Sequence, residues 1–243
     1  MTIAKRKVHC VGIEGAGMSA LARLFIERGD RVTGSDIKDG PRLEALRELG
    51  ATIAIGHAPG HVDGADLVVA SPAVPRDNAE LKAARERSIC VYSRTKALAE
   101  LLNDRDVICV TGSHGKTTVT AMLTLILDRA GLRPGFMIGG KTASLKNRNA
   151  RLGDASLFVT EACEAFRALD HWRPHHCIVT NLDDEHTEHY GDSERLFAAF
   201  DDLLARVPND GVIALCGDDP GLSRLIARNA ARVVTYGLGA DTS

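Results

Sequence analysis

The 243-residue sequence lacks paired cysteine motifs, long apolar runs and a strong charge of either sign. Its six cysteines include no C-x-x-C pair, which argues against a zinc ribbon or a disulfide framework and favours buried free thiols in a reducing compartment. No apolar run is long enough to span a bilayer, and no secretory apolar segment follows Met1–Lys7. We therefore expect a cytoplasmic protein.

The charge balance excludes a broad electrostatic attraction to nucleic acid or to an anionic membrane. Thirty basic and 32 acidic residues give a net charge of −2, and 44% hydrophobic with 26% charged residues is typical of a globular protein. Short apolar runs alternate with helical patterns, which predicts parallel sheets covered by helices. We expect a break near Asn103-Asp104-Arg105, between a Rossmann-like domain at 1–103 and a P-loop-type α/β domain at 104–243.

The strongest local signal is a phosphate-binding pattern. A strand at Val107–Val110 leads into a glycine loop, and an amphipathic helix begins at Lys116. Glycines let a phosphate approach the backbone, the lysine ammonium faces the β- and γ-phosphates, and a threonine hydroxyl can ligate Mg²⁺. The spacing G-x-x-G-K-T-T is shorter than the general P-loop pattern. The predicted ATP-binding residues are Gly112, Ser113, His114, Gly115, Lys116, Thr117 and Thr118.

A second glycine loop follows the first predicted strand, at Val8–Gly12. A helix ends at Gly29, a second strand begins at Arg31, and the acidic Asp36 follows it. The glycines Gly12, Gly15 and Gly17 run G-x-x-G-x-G, whereas the dinucleotide fingerprint is G-x-G-x-x-G. This order favours a nucleotide diphosphate over NAD.

Acidic residues follow two later strands of the second half. Ser156–Thr160 leads into Glu161 and Glu164, and His176–Thr180 leads into the acidic segment Asp183–His186. The carboxyl ends of parallel strands meet at one edge of a sheet, where ligands collect. Carboxylate and imidazole groups there could surround magnesium beside a triphosphate.

These motifs together resemble the Mur ligase family. The resemblance spans nearly the whole chain, in the order H-C-V-G-I-E-G-A-G-M-S-A, V-T-G-S-D, A-T-I-A-I-G-H, V-V-A-S-P-A-V, V-T-G-S-H-G-K-T-T, G-F-M-I-G-G, N-A-R-L-G, T-E-A-C-E, V-T-N-L-D-D-E-H and C-G-D-D-P. It implies an ADP-forming amide ligase of peptidoglycan precursor synthesis, using ATP and Mg²⁺ to join L-alanine to UDP-N-acetylmuramate through an acyl phosphate.

The resemblance also implies roles for individual residues. The UDP-sugar would contact the first domain, and the phosphates of ATP would bind at the glycine loop Gly112–Thr118 of the second domain. The implied substrate-binding residues are Gly12, Gly15, Gly17, Met18, Ser19, Asp36 and His57. The implied catalytic residues are Lys116, Glu161 and His186, and the implied metal ligands are Thr117, Glu161 and His186.

Two positions depart from the family pattern. Glu14 replaces a glycine in the first loop, where a carboxylate is unfavourable beside a pyrophosphate unless it points away, and Glu185 replaces an aspartate. The family also has a third domain that supplies amino-acid binding. Because the chain stops at Ser243, we expect a fragment or truncated relative that makes no product alone.

Three alternatives follow from the same residues. A related ligase attaches a recycled tripeptide to UDP-N-acetylmuramate, and the residues that select the added group lie largely beyond Ser243. The chain could also be a nucleotide- or UDP-sugar-binding module without turnover. An NAD-dependent oxidoreductase is disfavoured by the order of the glycines.

Overall fold

The computed structural model describes residues 5–140, 142–145, 147–154, 156–163, 165–183, 190–229 and 232–239. Contacts divide the chain into two compact units. The first comprises Met1–Leu101 with Arg148–Leu152, and the second comprises Leu102–Asn147 with Gly153–Ser243. None of the helices in the described ranges combines the length and apolar character that a membrane span requires.

The first unit is a five-stranded parallel sheet with four helices. Its strand order is β3-β2-β1-β4-β5, so the order reverses beside β1 and the loops after β1 and β4 meet there. The strands are β1 (Lys7–Val11), β2 (Arg31–Asp36), β3 (Thr52–Ile55), β4 (Leu67–Ala70) and β5 (Cys90–Ser93). The helices are α1 (Ala16–Arg28), α2 (Pro41–Glu48), α3 (Ala79–Glu86) and α4 (Arg94–Leu101).

The second unit contains six parallel strands in the order β12-β11-β10-β6-β9-β7. These are β6 (Asp106–Thr111), β7 (Gly135–Met137), β9 (Leu157–Glu161), β10 (His176–Val179), β11 (Ile213–Cys216) and β12 (Val233–Tyr236). The two-residue strand β8 (Ala150–Arg151) lies in the segment Arg148–Leu152 that is counted with the first unit. The helices are α5 (Lys116–Arg129), α6 (Ser193–Ala205) and α7 (Ser223–Asn229). Short 3-10 segments occur at Pro59–Val62, Ala143–Leu145, Ala165–His171 and Pro220–Leu222.

The predicted fold class is confirmed, and the differences are local. The apolar spacing of residues 196–204 predicts a helix, and the observed helix begins earlier, at Ser193, because the Asp192 carboxylate accepts a hydrogen bond from Arg195 N and caps it. The sequence also predicts a helix at residues 221–227, where the structure has a 3-10 turn followed by α7. Asp219 caps this turn by accepting from Leu222 N.

All six cysteines are free, as expected, but they are not all buried. Cys10, Cys109 and Cys177 lie in central strands, and burial raises the pKa of Cys10 and of Cys177 to about 12. Cys90 is exposed, so the expectation of burial was wrong there. The reason is topological, since Cys90 opens β5, which is an edge strand.

A completely buried carboxylate, Glu80 on α3, lies within the first unit. Its oxygen atoms lie 2.5 Å from Ser35 Oγ, 3.1 Å from His57 Nδ1 and 2.5 Å from His61 Nδ1. Burial alone would raise the pKa of Glu80, but the side chains of His9, Ser35 and His61 outweigh it and lower the pKa to about 2. Glu80 is therefore a paired, ionised group in the core.

We expect Glu80→Gln to change how stability depends on pH. The pKa of Glu80 is lower in the folded protein than its ordinary value of 4.5, so its contribution is complete above that value and is lost as pH falls towards 2. The contribution is at most about 3 kcal/mol. Urea unfolding from pH 6 down to 3 should show the deficit of the variant shrinking with falling pH. A deficit that stays constant over this range would contradict the assignment.

Candidate functional site

The predicted phosphate loop, Gly112–Thr118, follows β6 and includes the first turn of α5 at the carboxyl edge of the second sheet. Gly115, with φ of +82°, is the N-cap of α5, and no side chain caps the helix. The first turn contains no acidic residue either, so its N–H groups and the positive end of the helix dipole are suited to an anion. Thr117 and Thr118 in this turn are exposed.

Gly112 fits closely against the segment that follows β10. Its φ is +120°, and a Cβ there would lie 2.8 Å from Asn181 O and 3.0 Å from Asn181 N. Both the conformation and the space therefore require glycine. The loop follows β6, which pairs directly with β10, so the two chain segments emerge side by side.

Thr180 and Asn181 hold the loop from the β10 side. The Asn181 side chain accepts a hydrogen bond from His114 N at 2.7 Å and donates to His114 O at 3.2 Å. Thr180 Oγ1 donates to the same carbonyl at 2.6 Å. Sequence reasoning missed both residues as supports of the loop, although an available signal was that Thr180 ends, and Asn181 follows, a strand predicted at this edge.

The Lys116 side chain turns back over the loop. Its Nζ donates to the carbonyl oxygens of Gly112 and, at 2.9 Å, of Ser113. The ammonium thus lies at the loop instead of extending into solvent, at the end of α5 that is suited to an anion. Asp183 extends the same cluster, because its N–H donates to Ser113 Oγ at 2.9 Å and its carboxylate lies 3.2 Å from His114 Nε2.

Glu161 lies at the same edge of this sheet. It ends β9, and the strand register pairs it with Val110 of β6, one residue before the end of that strand. Gly139 N donates to Glu161 Oε1 at 2.7 Å, which fixes the orientation of the carboxylate. The structure thus brings the loop and Glu161 to neighbouring strand ends.

Two of the three expected magnesium ligands lie among the described residues. Glu161 and the exposed Thr117 hydroxyl are hard oxygen donors of the kind that Mg²⁺ prefers, so these residues fit the ion. His186, Glu164, Asp184 and Glu185 lie outside the described residues. Within the ranges that are described, no three His, Cys, Asp or Glu side chains form a group able to hold a metal.

The glycine loop of the first unit is bound to the end of β2. Gly12 N and Ile13 N both donate to Ser35 O, at 2.9 and 3.1 Å, and Glu14 N donates to Asp36 Oδ2 at 2.9 Å. Gly12 has φ of +77°, and a Cβ there would lie 2.9 Å from Ser71 Cβ. The predicted acidic residue therefore orders the loop backbone with one of its oxygens.

The N-terminus of α1 is formed by the rest of this loop. Gly15 is its N-cap, without a side-chain cap, and the side chains of Met18 and Ser19 are buried in the first turns. A Cβ on Gly17 would collide with the guanidinium of Arg94, the first residue of α4. Arg94 thus adds positive charge at this helix end, a feature that sequence reasoning missed.

Glu14 does not face this helix end. Its carboxylate lies 3.1 Å from Arg42 Nη1 and accepts from Leu43 N at 3.1 Å. It therefore stabilises the N-terminus of α2, whose N-cap Gly40 has no side chain to do so. The Glu14 carboxylate is thus engaged by Arg42 and by the start of α2, although a glycine is usual at this position in the family.

Both units thus have glycine loops at the carboxyl ends of parallel strands, the arrangement of a nucleotide-binding α/β protein. Residues 7–106 match the model of the Mur ligase family catalytic domain, and residues 110–243 match that of the Mur ligase middle domain. The chain belongs to the Mur ligase family, as the sequence motifs predicted.

Three relatives illustrate the similarity. A UDP-N-acetylmuramate–L-alanine ligase of Paenarthrobacter aurescens is 43% identical over 97% of this chain and 52% of its own length. The MurC structure from Thermotoga maritima has a TM-score of 0.83 at 32% identity, covering 96% of this chain and 53% of that one. The Neisseria meningitides ligase for L-alanyl-γ-D-glutamyl-meso-diaminopimelate has a TM-score of 0.86 at 29% identity, covering 96% and 78%. The chain spans about half the length of the curated relatives it matches.

We expect Gly112→Ala to disrupt the phosphate loop. The added methyl group would meet Asn181, so the loop must move away from β10, and ATP affinity should fall at least about tenfold. Gly131→Ala is the matched control, because Gly131 also has positive φ, at +81°, but no atom lies within 4 Å of the place its methyl group would take. Calorimetric ATP titration of both variants is the measurement. Equal ATP affinity in the two variants would contradict the proposed constraint.

Proposed function

We propose that this chain carries the UDP-substrate and ATP sites of an ADP-forming amide ligase that joins L-alanine to UDP-N-acetylmuramate. The carrying observation is the phosphate loop at the start of α5, with Lys116 folded over it and Glu161 at a neighbouring strand end. The names of the curated relatives support the choice of substrates. A reaction that consumes ATP supports a cytoplasmic location.

In the proposed reaction, the muramoyl carboxylate attacks the γ-phosphorus of ATP, and the bond to the β,γ-bridging oxygen breaks to release ADP. The alanine amine then attacks the acyl phosphate, phosphate leaves with the bonding electrons, and the amine loses a proton as the amide forms. Both partners in the first step are anions, so charge neutralisation and positioning are the main requirements.

The residues of the second unit are assigned roles in this reaction. The N–H groups of Gly112–Thr118 bind the phosphates of ATP, and the Lys116 ammonium moves from the loop carbonyls to the β- and γ-oxygens. Thr117, Glu161 and His186 would hold Mg²⁺, which supplies positive charge beside the triphosphate when bound. The contact from Gly139 N keeps Glu161 oriented for this role.

The first unit is assigned the UDP moiety. Gly12, Gly15, Gly17, Met18 and Ser19 place the N-terminus of α1 against the diphosphate, and Asp36 and His57 border the same site. One Asp36 oxygen already accepts from Glu14 N, which weakens the case for a ribose contact of the NAD type. This engagement, together with the order of the glycines, supports a UDP-sugar over NAD.

We expect UDP-N-acetylmuramate to bind the chain while NADH does not. The reason is that the loop presents helix N–H groups to a diphosphate, but Asp36 is held by the loop backbone. Isothermal titration with each ligand, and with UDP alone, measures this directly. Tighter binding of NADH than of UDP-N-acetylmuramate would contradict the assignment of the first unit.

We expect Lys116→Ala to weaken ATP binding by about tenfold or more, since it removes charge-assisted hydrogen bonds to phosphate. Lys82→Ala is the control, because Lys82 is an exposed lysine on α3 of the first unit. Titration with ATP should separate the two variants, and circular dichroism should show both folded. Unfolding of the Lys116 variant would show instead that the lysine is mainly structural.

The tripeptide ligase is the second candidate, favoured by the similarity to the Neisseria meningitides structure. It shares the proposed ATP and UDP sites and differs in the added group. Product masses formed by the longest natural reading frame, with L-alanine or with the tripeptide as acceptor, distinguish the two ligases. A binding module without turnover would bind both nucleotides and form neither product.

A further inference from the structure

The side chains of the Glu80 cluster in the first unit make none of the glycine-loop hydrogen bonds described so far, although the backbone carbonyl of one member, Ser35, holds that loop. Glu80 is fully buried, yet the side chains around it come from three separate places: Ser35 in β2, His57 after β3, and His61 in the following 3-10 segment. All three lie within hydrogen-bond distance of its carboxylate. A buried carboxylate with this many side-chain partners can orient those side chains as well as fill the core.

The contacts fix the protonation of the His57 ring. An ionised carboxylate only accepts hydrogen bonds, so the ring nitrogen 3.1 Å from it must carry the proton. The hydroxyl of Ser35, also 3.1 Å from His57 Nδ1, donates to Glu80 at 2.5 Å and leaves its oxygen as a second acceptor. Neutral His57 is therefore the Nδ1–H tautomer, and its Nε2 is an acceptor.

The His57 ring is not completely enclosed by the cluster. Its side chain is 18% exposed, whereas Glu80 and Ser35 on its Nδ1 side are wholly buried. The ring also lies at the carboxyl edge of the sheet, because Gly56 N donates to Asp36 O at 2.7 Å. This is the edge at which Ser35 O holds the glycine loop.

We propose that Glu80 is a positioning residue of the nucleotide site, holding His57 so that its Nε2 accepts a hydrogen bond from a donor on the bound uridine. The inference rests on the proposed function of the first unit. It specifies the chemistry of the contact, since an acceptor nitrogen selects an imide N–H or a ribose hydroxyl and disfavours a phosphate oxygen.

His9 also lies beside Glu80, but its ring is buried and differs in this respect from the ring of His57. Its ring is 1% exposed, its Nδ1 lies 2.9 Å from Thr33 Oγ1, and its Nε2 lies 3.6 Å from Glu80. No edge of this ring can reach a ligand. His57 and His61 both contact Glu80 while their side chains stay partly exposed, at 18% and 28%. His57 directly follows Gly56, whose N–H donates to Asp36 O, so it lies at the edge where Ser35 O holds the glycine loop, and this position carries the proposal.

The first test uses the unaltered protein. Long-range ¹⁵N–¹H correlation spectra distinguish the protonated ring and the two neutral tautomers of each histidine, and they are recorded at a pH at which the His57 spectrum is that of a neutral ring. We expect the Nδ1–H form for His57. The Nε2–H form would overturn the proposal without any variant having to fold.

The second test asks whether Glu80 acts through His57. E80Q retains one acceptor oxygen for a cluster that needs two, and we expect UDP affinity to fall about tenfold, the equivalent of one hydrogen bond. In an H57F background, E80Q should cause no further loss. Glu86→Gln, an exposed change on the same helix, should leave affinity within about twofold.

The outcomes distinguish a failure of the proposed function from a failure of the positioning role of Glu80. No UDP binding by the unaltered protein would overturn the proposed function. Normal UDP binding with an undiminished E80Q, or with equal losses in both backgrounds, would overturn the positioning role alone. N3-methyl-UDP and 2′-deoxy-UDP identify the donor, because the analogue that lacks it should lose affinity only when His57 is present. If neither analogue lost affinity, the acceptor role of His57 would be excluded.

Discussion

The parallel pairing of β6 with β9 and β10 is the constraint on which the proposed ATP site depends. Parallel strands in register end at the same edge, so the phosphate loop, Glu161 and the Thr180–Asn181 segment are brought together without being close in sequence. The loop then needs glycine at position 112, because Asn181 occupies the space of a side chain. The register of the sheet thereby determines which residue the loop can have at position 112.

The phosphate loop and Glu161 could be predicted because their signals are local. A strand, two glycines and a Lys-Thr pair occur within a dozen residues, and an acidic residue directly follows an apolar run. The sheet rule then places them together. The fold class was predictable for the same reason, since each apolar run and its following helix are read within a short window.

The residues that hold these sites in place could not be predicted in the same way. Glu80 reaches Ser35 across 45 positions, and Asn181 reaches His114 across 67. An isolated glutamate in a helical pattern is usually exposed, and only the packing of α3 over the sheet shows that this one is buried. Glu14 is similar, because its partner Arg42 is identified by the position of α2 and not by any spacing.

A nucleotide has an anionic diphosphate and a neutral nucleoside, and these demand opposite kinds of group. Backbone N–H groups at a helix end suit the diphosphate, whereas a neutral imidazole nitrogen that accepts suits a donor on the nucleoside. In the first unit the two kinds of group meet at Ser35. Its carbonyl accepts from Gly12 N and Ile13 N, and its hydroxyl donates to Glu80. Since Ser35 is wholly buried, a shift at the end of β2 must displace the loop and the histidine cluster together. The spacing between the proposed diphosphate and nucleoside contacts is therefore set by the core and not by mobile surface side chains.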